Sequence, residues 1–228
     1  MTRLLLLHGA LGSKEQLNPL REVLKDHFEV YSLSFSGHGG REFADGPFSM
    51  ELFSNDVLEF LNEHHLDHTN IFGYSMGGYV ALYLARFHPG KVKKVITLAT
   101  KFNWTPETAA KEAALLNPEV MEQKIPGFVQ TLQLRHGSDK WREVVTQTAA
   151  MMIDLGNKNP LLENDFVEIN NPVTLMLGDG DKMVSMEESK NIQNLLPNGN
   201  FEIIPDTAHP IEKVDVDLLA KKILAKLV

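Results

Sequence analysis

Cysteine is absent from all 228 residues. That excludes disulfides, thiolate metal sites, iron–sulfur clusters and a cysteine nucleophile together. Positive charge is short: 22 Lys and Arg face 30 Asp and Glu, for a net charge of −8. With no basic cluster, an electrostatic grip on nucleic acid or an anionic membrane is not expected. Long apolar runs are missing too. The run Leu4–Leu7 near the start falls well short of the ~20 residues of a membrane span and of a secretory core. No membrane partner is therefore expected, and a cytoplasmic location is. The lack of cysteine suits a reducing compartment without demanding one.

What is present is globular. Hydrophobic residues make up 43% and charged residues 23%, enough for a sizeable core. Six short apolar runs, at 3–7, 28–34, 70–72, 92–98, 173–177 and 201–204, read as strands. They are continuous rather than alternating, the pattern of a sheet covered on both faces and hence parallel. Amphipathic patterns at 15–25, 50–62, 77–87, 185–196 and 211–227 read as helices between and after them. Strand and helix in alternation predict a doubly wound α/β fold.

Residues 101–168 break the rhythm. Helical patterns at 106–116, 118–133 and 139–155 follow one another with no strand among them. This is more than one crossover needs. The expected division is a core of residues 1–100 and 169–228 with a helical lid at 101–168.

The chemistry concentrates at Gly73-Tyr74-Ser75-Met76-Gly77, a G-x-S-x-G sequence directly after one strand and before one helix. A sharp strand-to-helix turn pushes the serine hydroxyl out of the sheet, and the glycines let the backbone close around it. The Met76 N–H would face a developing oxyanion at the helix N-terminus. A serine hydroxyl is a weak nucleophile and needs a base held by a third group. Partners are expected on loops at the same ends of later strands. Asp179 and Asp181 follow the fifth strand, and His209 follows the sixth. The chain order is thus Ser, Asp, His.

With these residues in place, the sequence resembles the α/β-hydrolase superfamily, in its lidded esterase/aminopeptidase-like branch. The resemblance covers nearly the whole chain. It is carried by His8-Gly9-Ala10-Leu11-Gly12, by Gly37-His38-Gly39, by the serine elbow, and by the loops at 178–184 and 208–209. It implies a mainly parallel sheet with helices on both faces; many members have one or two antiparallel strands before the strand that ends at His8, and without them a sheet of six strands is expected here. It implies that Ala10 supplies a second oxyanion N–H beside that of Met76. It places the acid at Asp181 through the pattern G-x-x-D-x-x-V, completed by Val184, and leaves Asp179 to shape the turn. Leu11 and Trp104 are expected beside a partly apolar small-molecule substrate, and no cofactor or metal is implied.

One departure is visible: the usual acidic residue before G-H-G is missing from Ser34-Phe35-Ser36. That puts in question what supports this loop. His8 and His38 are expected to brace turns, and Arg135-His136 to be either an anion contact or an exposed helix end. The activity expected is hydrolysis of a small ester or thioester through an acyl-enzyme on Ser75. The alternatives are a low-turnover receptor or scaffold on the same fold, an acyltransferase or a C–C hydrolase.

Overall fold

The computed structural model describes residues 1–227. Six strands form one sheet: β1 (Thr2–Leu7), β2 (Phe28–Leu33), β3 (Thr69–Tyr74), β4 (Val92–Leu98), β5 (Val173–Gly178) and β6 (Gly199–Ile204). Their spatial order is β2-β1-β3-β4-β5-β6, and every pairing is parallel. All six lie where apolar runs predict them. β3 is the one the sequence understates, because Thr69, Gly73 and Tyr74 extend the apolar centre Ile71-Phe72.

Two-fold side-chain alternation explains the layers. Leu4 and Leu6 of β1 face one core cluster, with Leu20 and Leu24 of α1 (Asn18–Leu24) and Leu219 and Ile223 of α10 (Val216–Leu227). Leu5 and Leu7 face the other, with Phe53 and Val57 of α2 (Met50–Glu63) and Val80 and Leu84 of α3 (Met76–Phe87). α9 (Met186–Leu195) packs against β5 and β6, started by Ser185, whose hydroxyl accepts the Glu188 N–H at 3.1 Å.

Five helices occupy the stretch between β4 and β5: α4 (Pro106–Ala113), α5 (Pro118–Lys124), α6 (Pro126–His136), α7 (Trp141–Asn157) and α8 (Glu163–Val167). The single helix expected over 118–133 is two. Pro126 has no N–H to continue α5, and Ile125 before it takes an extended φ of −137°. The helices do not build a separate core. Val129, Leu132, Trp141, Val144 and Met151 belong to the same cluster as Leu5, Leu7 and Phe53.

The order of strands positions the site. β1 lies between β2 and β3, so the chain departs from β1 in one direction along the sheet and returns on its other side. Crevices at such reversals, at the C-terminal ends of the strands, are where open α/β sheets bind ligands. The loop after β1 and the turn after β3 therefore meet, with Leu7 opposite Gly73 in the register.

Candidate active site

Ser75 joins β3 to α3 in a backbone conformation few residues adopt, with φ 51° and ψ −116°. A non-glycine residue there costs about 1–3 kcal/mol, so its surroundings must impose it. They do. Ser75 N–H donates to Leu98 O at 2.8 Å, and the Thr100 hydroxyl donates to Ser75 O at 2.9 Å. The elbow closes only because its flanks are glycine: a Cβ on Gly73 would stand 2.4 Å from the Gly77 carbonyl carbon. Among the described residues the Ser75 hydroxyl itself is without a hydrogen-bond partner, and the residue is half-buried.

The loops after β5 and β6, which carry Asp181 and His209, converge at the same sheet end. His209 Nδ1 and Asp181 Oδ2 are 2.8 Å apart. The other carboxylate oxygen, Oδ1, accepts N–H groups from Met183 at 2.8 Å and Val184 at 3.0 Å. Burial opposes the charge on Asp181. The hydrogen bond and charge of His209, with the two N–H donors, outweigh it and hold the carboxyl below its usual range. Asp179 does something else: its carboxylate accepts the Thr207 N–H at 3.2 Å and ties the two loops together. Tyr74, next to Ser75, donates its hydroxyl to His209 O at 3.0 Å, linking the elbow to the loop after β6.

The N–H groups of Ala10 and Met76 have no hydrogen-bond partner among the described residues, and both residues line a narrow pocket with Ser75. The pocket is small, about 40 Å³. Trp104 lines it, as the sequence predicts, and so do Met151 and Met152, two of the apolar lid side chains the sequence offers for such a pocket; Met50, Tyr79, Lys101 and Leu155 line it too, and the sequence does not single them out. Lys101 is tied down by Met183 O at 3.1 Å and Glu112 at 3.7 Å. Its place just past β4, the strand after the elbow, is the sequence signal that points to it.

Two expectations are corrected. Leu11, expected beside the substrate, does not line this pocket; its side chain is packed into the core cluster. His136, read as an exposed helix end or an anion contact, is fully buried. Its Nδ1 accepts the Gly39 N–H at 3.0 Å, and its Nε2 donates to Leu11 O at 3.0 Å. Burial lowers its pKa to about 4.

The two other loop histidines brace turns. His8 Nε2 accepts the Phe35 N–H at 3.1 Å while Nδ1 donates to Gly9 O at 2.8 Å, and burial lowers its pKa to about 3. His38, also fully buried, donates Nδ1–H to Ser36 O at 3.1 Å. The loop without its usual acid is held by Asp56 of α2, which accepts the Ser36 N–H and hydroxyl, each at 2.7 Å. Among the described residues no group of three or more His, Asp or Glu side chains is arranged to hold a metal ion. No described helix is long and apolar enough to cross a membrane.

Comparison with known proteins agrees with this architecture. The family model described as alpha/beta hydrolase fold matches residues 2–162. The chain belongs to that family. A probable alcohol acetyltransferase of Wickerhamomyces anomalus is 34% identical over 97 residues, which are 42% of this chain and only 28% of that relative. A pimeloyl-[acyl-carrier protein] methyl ester esterase of Aromatoleum aromaticum is 27% identical, with 90% of each chain covered. Among solved structures, the enol-lactonase of Burkholderia xenovorans LB400 superposes with a TM-score of 0.78 at 20% identity, covering 99% of this hydrolase-fold chain and 91% of the other. Relatives of this chain thus include proteins named for ester hydrolysis and for acyl transfer.

Proposed function

We propose that this chain is a serine hydrolase that cleaves a small ester or thioester through an acyl-enzyme on Ser75. The observation that carries the reading is a strained Ser75 and a part-buried Asp181–His209 pair at 2.8 Å on loops at one sheet end, joined by the Tyr74 hydroxyl on His209 O. Asp181 accepts a hydrogen bond from the Nδ1–H of His209, which holds that tautomer and leaves Nε2 unprotonated as the base. Nε2 removes the Ser75 proton as Oγ attacks the substrate carbonyl, and Asp181 stabilises the imidazolium that results. The carbonyl electrons move onto oxygen, which the N–H groups of Ala10 and Met76 receive. Donors of this kind contribute roughly 3–4 kcal/mol each to the transition state. The imidazolium then gives its proton to the leaving alcohol or thiol, and water repeats the sequence to free the acid.

Replacing Ser75 by Ala tests this directly. Wild-type protein should be labelled by a fluorophosphonate probe and S75A should not. Labelling retained in S75A would place the nucleophile elsewhere. A slow, single covalent event with no sustained turnover on short p-nitrophenyl esters would favour a receptor. The likeness to an alcohol acetyltransferase supports a second reading, in which an alcohol rather than water accepts the acyl group. Added ethanol would then give ethyl ester in place of free acid.

A further inference from the structure

The loop that carries Ala10 is a strained turn, and two residues of the helical segment hold it. Gly12 N–H donates to Gly9 O at 3.0 Å, closing a four-residue turn with Ala10 and Leu11 at its centre. Of those two only Leu11 has a positive φ, 56°. That is the type II pattern, whose third position favours glycine or asparagine. A leucine there carries a cost of about 1–2 kcal/mol and needs external support.

The support comes from across the chain. Leu11 O accepts Arg135 Nη1 at 2.7 Å and His136 Nε2 at 3.0 Å, two donors on one carbonyl from the last turn of α6. The Gly39 N–H, donating to His136 Nδ1 at 3.0 Å, fixes the ring and leaves the proton on Nε2. Arg135 reaches further: its guanidinium stands 3.4 Å from Glu212, three residues past His209. Glu212 in turn accepts from Gln16 Nε2 at 2.6 Å, and Gln16 Oε1 accepts the Ser13 N–H at 3.2 Å. The network therefore circles back to the turn it supports.

We propose that Arg135 and His136 are positioning residues: they clamp the Leu11 carbonyl and so keep the Ala10 N–H aimed at the oxyanion. The proposal rests on the serine-hydrolase reading above. The oxyanion site is then complete only when α6 is seated on the loop after β1, which makes the helical segment part of the catalytic apparatus as well as the wall of the pocket. With its pKa lowered to about 4 by burial, His136 keeps Nδ1 free to accept at neutral pH.

The test uses rescue. His136→Ala and Arg135→Gln should each lower kcat on a short p-nitrophenyl ester, by roughly 10- to 100-fold for His136→Ala, as for loss of an oxyanion donor. KM should stay within about threefold, since the interaction strengthens mainly in the transition state. Leu11→Gly removes the strain that the clamp opposes, and the Leu11→Gly single variant, which also loses the leucine's core packing, is the reference against which the doubles are read. Combined with either variant, Leu11→Gly should recover most of the lost kcat. A defect that was only structural would not be mended by putting glycine into a loop.

Two results would overturn the clamp: kcat within about twofold of wild type in both single variants, or a kcat loss that Leu11→Gly leaves unrepaired. Arg135→Gln keeps the buried His136, so it gives a folded variant to measure even if His136→Ala is insoluble. Fluorophosphonate labelling of wild-type Ser75 separates the two levels. Its absence defeats the serine-hydrolase reading and the clamp with it; its presence beside unaffected variants defeats the clamp alone.

Discussion

At the scale of single residues, the acid is where sequence and geometry can be compared most closely. Asp179 and Asp181 stand two apart on one loop, and composition does not separate them. The family pattern selects Asp181, and in the structure Asp181 is the one against His209 at 2.8 Å. Asp179 ties backbone to backbone through Thr207. Asp181→Asn should therefore lower kcat by several orders of magnitude, about 10⁴-fold if the amide fixes the wrong His209 tautomer. Asp179→Asn should cost far less, because an amide oxygen still accepts the Thr207 N–H. Steady-state kinetics on one ester decide it, and the reverse ranking would move the acid role to Asp179. The contact between Leu11 and His136 is not legible at this scale. It depends on one carbonyl meeting a helix more than a hundred residues later in the chain, and no local pattern carries that.

Elements were more legible than their contacts. The strands fell where apolar runs placed them, because burial on both faces leaves a sequence signature that needs no partner. Helix α7 was expected too, but not what it separates. The narrow pocket beside Ser75 adjoins a larger cavity of about 340 Å³, and Met50, Met151 and Leu155 line both. The larger volume lies at the low end of sites that hold a small molecule. As it stands, the pocket at Ser75 suits a very short acyl group. Met151→Ala should join the two spaces. The ratio of kcat/KM for an octanoyl over an acetyl ester should rise by about tenfold, the worth of roughly 1.4 kcal/mol of added apolar contact. The same change empties part of the core and should cost about 2–5 kcal/mol of stability. A chain-length series on wild type and M151A checks it. An unchanged ratio would mean that acyl chains leave the serine by another route.

For the whole molecule, the expected boundary at 101–168 marks a change of architecture but not of core. Side chains of α6 and α7 complete the cluster over β1 and α2, so the segment and the sheet should unfold together. Where segment and sheet meet, His8, His38 and His136 lie fully buried with neighbouring rings, 5.3 Å between His8 and His38 and 5.6 Å between His38 and His136. Burial lowers all three, His8 to about 3, His136 to about 4, and His38 well below its ordinary value. The sign follows from linkage. In the folded state the rings stay neutral, whereas in the unfolded chain they take up protons near pH 6.5. Stability contributed by their neutrality is intact above that pH and is lost as the pH falls toward the folded values. Each ring should cost about 2 kcal/mol of stability by pH 5, a large share of a typical total of about 5–15 kcal/mol. Charging one ring also repels the next, which favours a single cooperative loss over three separate ones. Urea unfolding between pH 7.5 and pH 5 measures it. The slope of free energy against pH should approach the uptake of about three protons at the acidic end. Replacing His136 by Asn should remove about one proton from that slope. Stability that stayed level across the range would mean that these rings open to solvent and charge without unfolding the chain.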